Sequence, residues 1–398
     1  MGGDSGNSAA IGVAFARGHM ISSPGLAQIW AALPEARVVG GAVRDMQAGR
    51  EVADVDFAVP LPPEVVMARA KLAGLRFVPT GLAHGTVTLL AAGKGFEVTS
   101  LRRDVETDGR HARVAFTDNW QEDAARRDFT INAMSCSQTG EIFDYFNGQV
   151  DLAIGRVRFV GAARERVRED YLRILRFFRF FARYGQGAPD EDAVAAIAEE
   201  AGGLSSLSAE RVWSELKKII QTPAPLAAVR LMQQTGVLEM VLPGSSPERL
   251  AALLARGAPA DPLLRLAALT DENIAGRLRL SGEEARLLAG WRTPFWLKPE
   301  DDDVCLRRAL ADTRREVLLG QSWLYGEDTP AWAALRARLM GMELPVFPLL
   351  GRDLLALGFP SGAGLGSVLV SVRQWWLEGG CAADKTACLR QVEKNIPR

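Results

Sequence analysis

Between Gly40 and Asp56 the chain reads GGAVRDMQAGREVADVD, and the residue types in this short stretch have a shared chemistry. Gly40 and Gly41 lack Cβ atoms, so the backbone there can close on an anion with its N–H groups. Arg44 carries a planar fork that matches phosphate oxygens. Asp54 and Asp56 lie two apart, and on a strand they project from the same face. Hard oxygen ligands of that kind suit Mg2+. The stretch therefore reads as a place for a divalent ion on Asp54 and Asp56, with a polyphosphate on Gly40, Gly41 and Arg44.

Three further clusters extend this reading. In FEVTSLR, Glu97 alternates with Phe96 and Val98 and falls on the polar face of a strand, either as a third catalytic carboxylate or as an exposed strand residue. In EDAARRDFTINAM, Arg127, Asp128 and Asn132 form a dense polar run that suits a triphosphate and a ribose; a surface salt bridge would explain Arg and Asp equally well. In REDYLRILRFFRFFARYG, the residues Arg173, Arg176, Arg179 and Arg183 are spaced to form one stripe of an otherwise apolar helix. From Gly155 to Arg183 nine arginines face Glu165, Glu169 and Asp170, a local net charge of +6. Either the stripe meets something anionic, or its arginines reach solvent and pair with carboxylates.

The elements that must position these residues change character near residue 150. Before it, RVVG, DVDFAV, LRFVP, TVTLL and FEVTSL read as strands, AVRDMQAG as a short helix and PPEVVMARAKLAG as a helix with proline in its first turn. The segment RRDVETDGRHARVAFTDNW, Arg102 to Trp120, reads as a polar loop. After residue 150 helical periodicity prevails, as in Val212, Leu216, Ile219 and Ile220 and then LAAVRLMQQTGVLEMV, with breaks at GAPAD, TPFWLKPEDDD and GEDTP. The chain has 398 residues, 48% hydrophobic and 24% charged, which is ordinary for globular proteins of more than one domain. A net charge of −1 gives no overall attraction to nucleic acid, so any such surface must be local. Four cysteines without C-x-x-C spacing argue against a disulfide scaffold or zinc site, and no signal peptide or membrane span is expected. A cytoplasmic location is the simplest expectation.

GGAVRD with DVDFAV, RRDFTINAM, EDYLRILRFFRF and LSAERVWSEL, in this order, resemble motifs A, B, D and E of the class II tRNA nucleotidyltransferases, the CCA-adding enzymes. Related bacterial poly(A) polymerases share the set. FDYFNGQVDL resembles the hinge motif C, with Asp144 as its acid, and GRDLLALGFPSGAGLG more weakly resembles a C-terminal segment of these proteins. The resemblance implies an α+β fold: a polymerase-β-like head with a mixed sheet, then an all-α neck, body and tail. It places a mobile segment at 1–22, the head at 23–150, the neck at 151–220, and a tRNA-binding body and tail at 221–398.

The same resemblance implies template-independent addition of C, C and A to the tRNA 3′ end from CTP and ATP. Asp54 and Asp56 would bind magnesium, and Gly40, Gly41 and Arg44 the triphosphate. Arg127 and Asp128 would contact the nucleotide, Asp170 and Arg173 would read the base as neighbours on one helix, and Ser208, Glu210 and Arg211 would brace the neck. The Arg102 to Trp120 loop corresponds to one needed for switching from C to A, and FVPTGLAHGTVTLL resembles the CCA-adding type. A poly(A) or A-only polymerase is the enzyme alternative, and a catalytically dead RNA-binding protein the remote one. Partners implied are the tRNA acceptor arm, CTP and ATP, with no membrane and no protein partner. Three histidines without a His-Asp pair exclude the phosphohydrolase domain that some members append.

Overall fold

The computed structural model describes residues 23–107 and 112–394. The segment expected to be mobile, 1–22, lies outside the described residues. The chain divides into two compact units, Met1–Pro243 and Gly244–Arg398.

In the first unit, helix α1 (Pro24–Ala32) leads to strand β1 (Arg37–Val39), helix α2 (Gly41–Gln47), strand β2 (Asp56–Val59) and helix α3 (Pro63–Leu72). Strands β3 (Arg76–Gly81), β4 (Thr86–Ala91) and β5 (Lys94–Ser100) follow, then β6 (Arg102–Thr107), β7 (Ala112–Phe116) and helix α4 (Trp120–Ala125). Short strands β8 (Ser135–Cys136) and β9 (Ile142–Phe143) complete a seven-stranded mixed sheet of order β3-β4-β5-β2-β1-β8-β9, in which β2 runs parallel to β5 and the other neighbours are antiparallel. Alternation explains the layering: in β4 and β5, Val87, Leu89, Phe96 and Val98 turn inward and their neighbours outward. They meet Trp30, Val43, Met46 and Phe57 in one core. The Trp30 indole is buried because its Nε1 finds the Ala36 carbonyl at 2.9 Å.

The segment expected to be a loop is instead two paired strands: β6 and β7 form a separate antiparallel sheet, with Arg102 opposite Phe116. Residues 108–111 between them lie outside the described ones.

Helices then take over: α5 (Gly148–Ala153), α6 (Ala163–Glu169), α7 (Leu172–Tyr184), α8 (Glu191–Glu200), α9 (Ala209–Ile220), α10 (Leu226–Gln234) and α11 (Val237–Val241). Asp144 fixes the entry to α5, its carboxylate accepting from the N–H groups of Phe146, Gly148 and Gln149. Helix α7 is held to the head by aromatic packing. Phe129 and Phe159 lie 4.8 Å apart, and Phe159 stacks on Phe177 at 6.0 Å. Each ring contributes about 1.5–3 kcal/mol relative to exposure. The expected single helix across Arg168 to Gly185 is two helices, broken where Asp170 takes extended dihedrals and accepts from the Leu172 N–H with its own side chain. Likewise Gly236, with φ of 75°, interrupts the periodicity that runs from Leu226 to Val241.

The second unit is helical from Pro247–Ala255 to Lys385–Lys394. One of its cores gathers Leu306, Leu310, Leu318, Leu335 and Leu339; another gathers Leu354, Val372, Trp376, Cys388 and Val392. No helix of the described residues is long and apolar enough to cross a membrane.

Candidate active site

Parallel pairing of β2 with β5 sets Phe57 opposite Val98, which brings Asp56, the first residue of β2, beside Glu97 in the middle of β5. Both carboxylates line a pocket of about 250 Å3 together with Gly40, Gly41, Thr99, Asp123, Arg126 and Arg127. The expectation for Asp54 needs correction. It precedes β2 rather than lying in it, so the same-face argument fails, and it is exposed and absent from the pocket wall. Its charge still reaches Asp56, whose carboxyl is pushed above the usual carboxylate range by burial first, then by Glu97 and by Asp54, against the opposing Arg127. A buried carboxylate with further negative charge beside it fits a divalent cation. No group of three or more His, Cys, Asp or Glu side chains among the described residues is placed to hold a metal ion, so any ion here has at most two protein carboxylates. Magnesium suits such an open arrangement, since it is commonly held by one or two carboxylates and keeps water and substrate oxygens.

The glycine turn is bound to the arginines. Gly40 has φ of 67°, and a Cβ there would lie 2.7 Å from Nη1 of Arg127. Only glycine satisfies both the backbone and the approach. Arg127 also donates to the Asn132 carbonyl at 3.3 Å.

On the other side of these residues lies a larger cavity of about 830 Å3, lined by Gly40, Gly41, Arg126, Arg127, Asp128, Asn132, Asp170 and the whole Arg173, Arg176, Arg179 and Arg183 stripe of α7. Ten cationic side chains border it against two carboxylates. Asp128 accepts from Arg176 Nε at 2.7 Å, from Arg176 Nη2, from Asn132 at 3.0 Å and from the Phe129 N–H at 2.9 Å. Burial pushes its carboxyl up, but the Arg176 charge and these hydrogen bonds outweigh burial and hold it below the ordinary value.

Arg44, expected as a phosphate fork, lines the cavity and is also tied to protein partners. Its Nη1 donates to Asn132 at 2.6 Å, its Nε and Nη2 both donate to Asp45 at 3.1 Å, and its guanidinium lies 4.6 Å from the Tyr184 ring. At 7% exposure it is an internal brace, with Tyr184 donating to the same Asp45. Asp170 and Arg173 both line the cavity, but they do not pair as neighbours on one helix. Asp170 accepts from Arg211 at 3.1 Å, whereas Arg173 donates to Glu169 at 2.6 Å.

Sequence reasoning missed Asp45, Asp123 and Tyr184 and gave Arg211 only a bracing role. Asp123 was readable, since it stands three and four residues before Arg126 and Arg127 on a helical turn. Arg211 was not, because its partner is 41 residues away.

A carboxylate pocket and a cationic cavity that share a glycine turn can bring a polyphosphate to a divalent ion. Residues 36–158 match the Poly A polymerase head domain, and residues 188–248 match the family described as a probable RNA and SrmB- binding site of polymerase A. The mitochondrial CCA tRNA nucleotidyltransferase 1 of Danio rerio is 38% identical over 384 residues, covering 91% of this chain and 88% of the relative. The Homo sapiens protein of the same name is 36% identical, with 91% and 87% covered. Among solved structures, the Bacillus stearothermophilus CCA-adding enzyme in complex with CTP superposes with a TM-score of 0.72 at 26% identity, over 94% of this chain and 98% of that one. With its nucleotidyltransferase head and its glycine, aspartate and arginine clusters in the order described, this chain belongs to the CCA tRNA nucleotidyltransferase family.

Proposed function

We propose that this chain adds C, C and A to the 3′ end of tRNA from CTP and ATP, without a template and with release of pyrophosphate. The observation that carries the reading is the shared wall: Gly40, Gly41, Arg102, Arg126 and Arg127 border both the carboxylate pocket and the cationic cavity. A nucleoside triphosphate laid across that wall has its phosphates beside Asp56 and Glu97 and its base toward α7. Catalysis is assigned to 23–150, base recognition to 151–220 and tRNA binding to 221–398.

Asp54 and Asp56, with Glu97 beside them, would hold Mg2+, which when bound supplies positive charge for the transferring phosphoryl group and the leaving pyrophosphate. Gly40 and Gly41 admit the triphosphate to close backbone range, and Arg126 and Arg127 neutralise it. Arg44 acts one step back, orienting Asn132 and through it Asp128. Asp128 and Arg176 work as one unit against the ribose, the carboxylate fixing the guanidinium plane. Asp170 accepts from the exocyclic amino group of cytosine or adenine, and Arg173 donates to ring acceptors. Uracil and guanine offer a carbonyl where Asp170 needs a donor, a mismatch that in a dry site can cost on the order of 10⁴-fold. Arg211 and Glu169 hold this pair in its resting position. The vertebrate relatives are mitochondrial proteins, which makes a mitochondrial location the alternative to the cytoplasm expected from the sequence.

Incubation of the purified chain with a tRNA transcript ending before CCA, magnesium and each nucleotide singly or together tests the reading at single-nucleotide resolution. The expected product stops after C, C and A. A lengthening A tail, or A added only to a preformed CC end, moves the chain to the polymerase alternative.

A further inference from the structure

Asp123 is the one carboxylate on the wall of the smaller pocket that is already surrounded by cations. It is 3% exposed. Its Oδ1 accepts from Arg126 Nε at 2.9 Å and from the Arg102 backbone N–H at 3.3 Å, and its Oδ2 accepts from Arg127 Nη2 at 3.4 Å. Arg102 begins β6, so the base of the hairpin and two arginines of the shared wall meet on one side chain. The path continues, because the Arg126 carbonyl accepts from Arg173 Nη2 at 3.5 Å. Arg127 needs this partner: burial lowers the basicity of its guanidinium, and the Asp123 charge acts against that loss.

We infer that Asp123 is a positioning residue for nucleotide binding, which fixes Arg126 and Arg127 at the triphosphate and ties them to the base of the β6–β7 hairpin. The inference rests on the nucleotidyl-transfer reading above. Asp123 is distinct from the metal ligands because both of its oxygens are taken by donors, whereas the side chains of Asp56 and Glu97 have no hydrogen-bond or ion-pair partner among the described residues. A rigid fork holds phosphate well only when its plane is fixed beforehand. Without Asp123, Arg126 and Arg127 would swing apart under their mutual repulsion and bind the triphosphate less tightly.

Asp123→Asn tests this on the full chain. The amide keeps an oxygen for the Arg102 N–H but removes the charge and sets an N–H₂ against Arg127. CTP and ATP binding, measured by calorimetry, weakens about tenfold, and KM rises in step while kcat falls by less. Asp123→Glu restores the charge and recovers most of the affinity. Thermal unfolding of each variant gives the structural control. Nucleotide affinity within twofold of the parent in Asp123→Asn overturns the inference, as does an Asp123→Glu variant that is equally weak with an unfolding temperature lowered alike. If the parent chain binds CTP but adds no C to tRNA, the function reading fails while the comparison of binding still judges Asp123.

Discussion

The two sides of the glycine turn treat their carboxylates in opposite ways. Asp56 and Glu97 lie side by side with no hydrogen-bonded or ion-paired side-chain partner among the described residues, and burial, then the Glu97 and Asp54 charges, raise the Asp56 carboxyl. On the cavity side Asp128 and Asp170 each hold an arginine. A carboxylate set without its own cation is built to receive one, while a carboxylate bound to arginine shapes the arginine. In the proposed function the first side would receive the metal and the second would shape the nucleotide site. The distinction also sorts the variants, since loss of an unpaired acid costs chemistry and loss of a paired one costs geometry or stability.

The largest effect is expected from Asp56→Asn. Transfer of C to tRNA falls by about 10³-fold or more, while circular dichroism shows an unchanged fold because no hydrogen bond or ion pair ties the Asp56 side chain to its neighbours. An Asp56→Asn protein that transfers normally would erase the contrast between the two sides.

Next comes base choice. Asp170→Ala removes the acceptor for an exocyclic amino group, so discrimination against UTP relaxes by on the order of 10²-fold. Incorporation assays with single nucleotides measure it. Unchanged discrimination would show that Asp170 serves Arg211 and not the base.

Asp128→Asn breaks a buried pair and lowers stability by about 1–3 kcal/mol in denaturant titration. The sign with pH follows from its depressed value. The stabilisation from Asp128 is fully present above the unfolded carboxylate pKa and is lost as pH falls through the lower folded one. The variant therefore shows a flatter acid limb. Gly40→Ala forces a Cβ against Arg127 at a left-handed backbone position, with an expected cost of about 1–2 kcal/mol and weaker nucleotide binding.

The smallest effect concerns the metal. Burial, then Glu97 and Asp54, disfavour the ionised form of Asp56, and a divalent cation bound there would offset that penalty. Saturating magnesium is expected to raise the unfolding temperature by a few degrees. The shift should shrink as pH falls toward the raised Asp56 pKa, where protons compete for the site. A shift equal in the Asp54→Ala, Asp56→Ala double variant would place the metal elsewhere.

Much of this was legible in the sequence because it is local. The glycine turn, the strands on either side of it and the arginine stripe depend on period and residue type, and β1, α2, β4, β5 and α7 lie where those signals put them. The hairpin of β6 and β7 was not legible, since it pairs outside the main sheet and its sequence is rich in charged residues. Asp170 was misplaced because arginine spacing continues across the break, while the break itself comes from its own capping of Leu172. Arg44 looked free for phosphate because nothing in GGAVRD shows that Asn132, 88 residues away, will claim one of its nitrogens.

The most direct test of the contrast is to measure CTP binding and C transfer side by side on the Asp54→Ala, Asp56→Ala double variant, with binding read in magnesium-free buffer. The account predicts that transfer is abolished while the CTP affinity stays within about threefold of the parent protein's, because the arginine side is intact. Persistent magnesium-dependent transfer, or loss of magnesium-free CTP binding together with transfer, would contradict it.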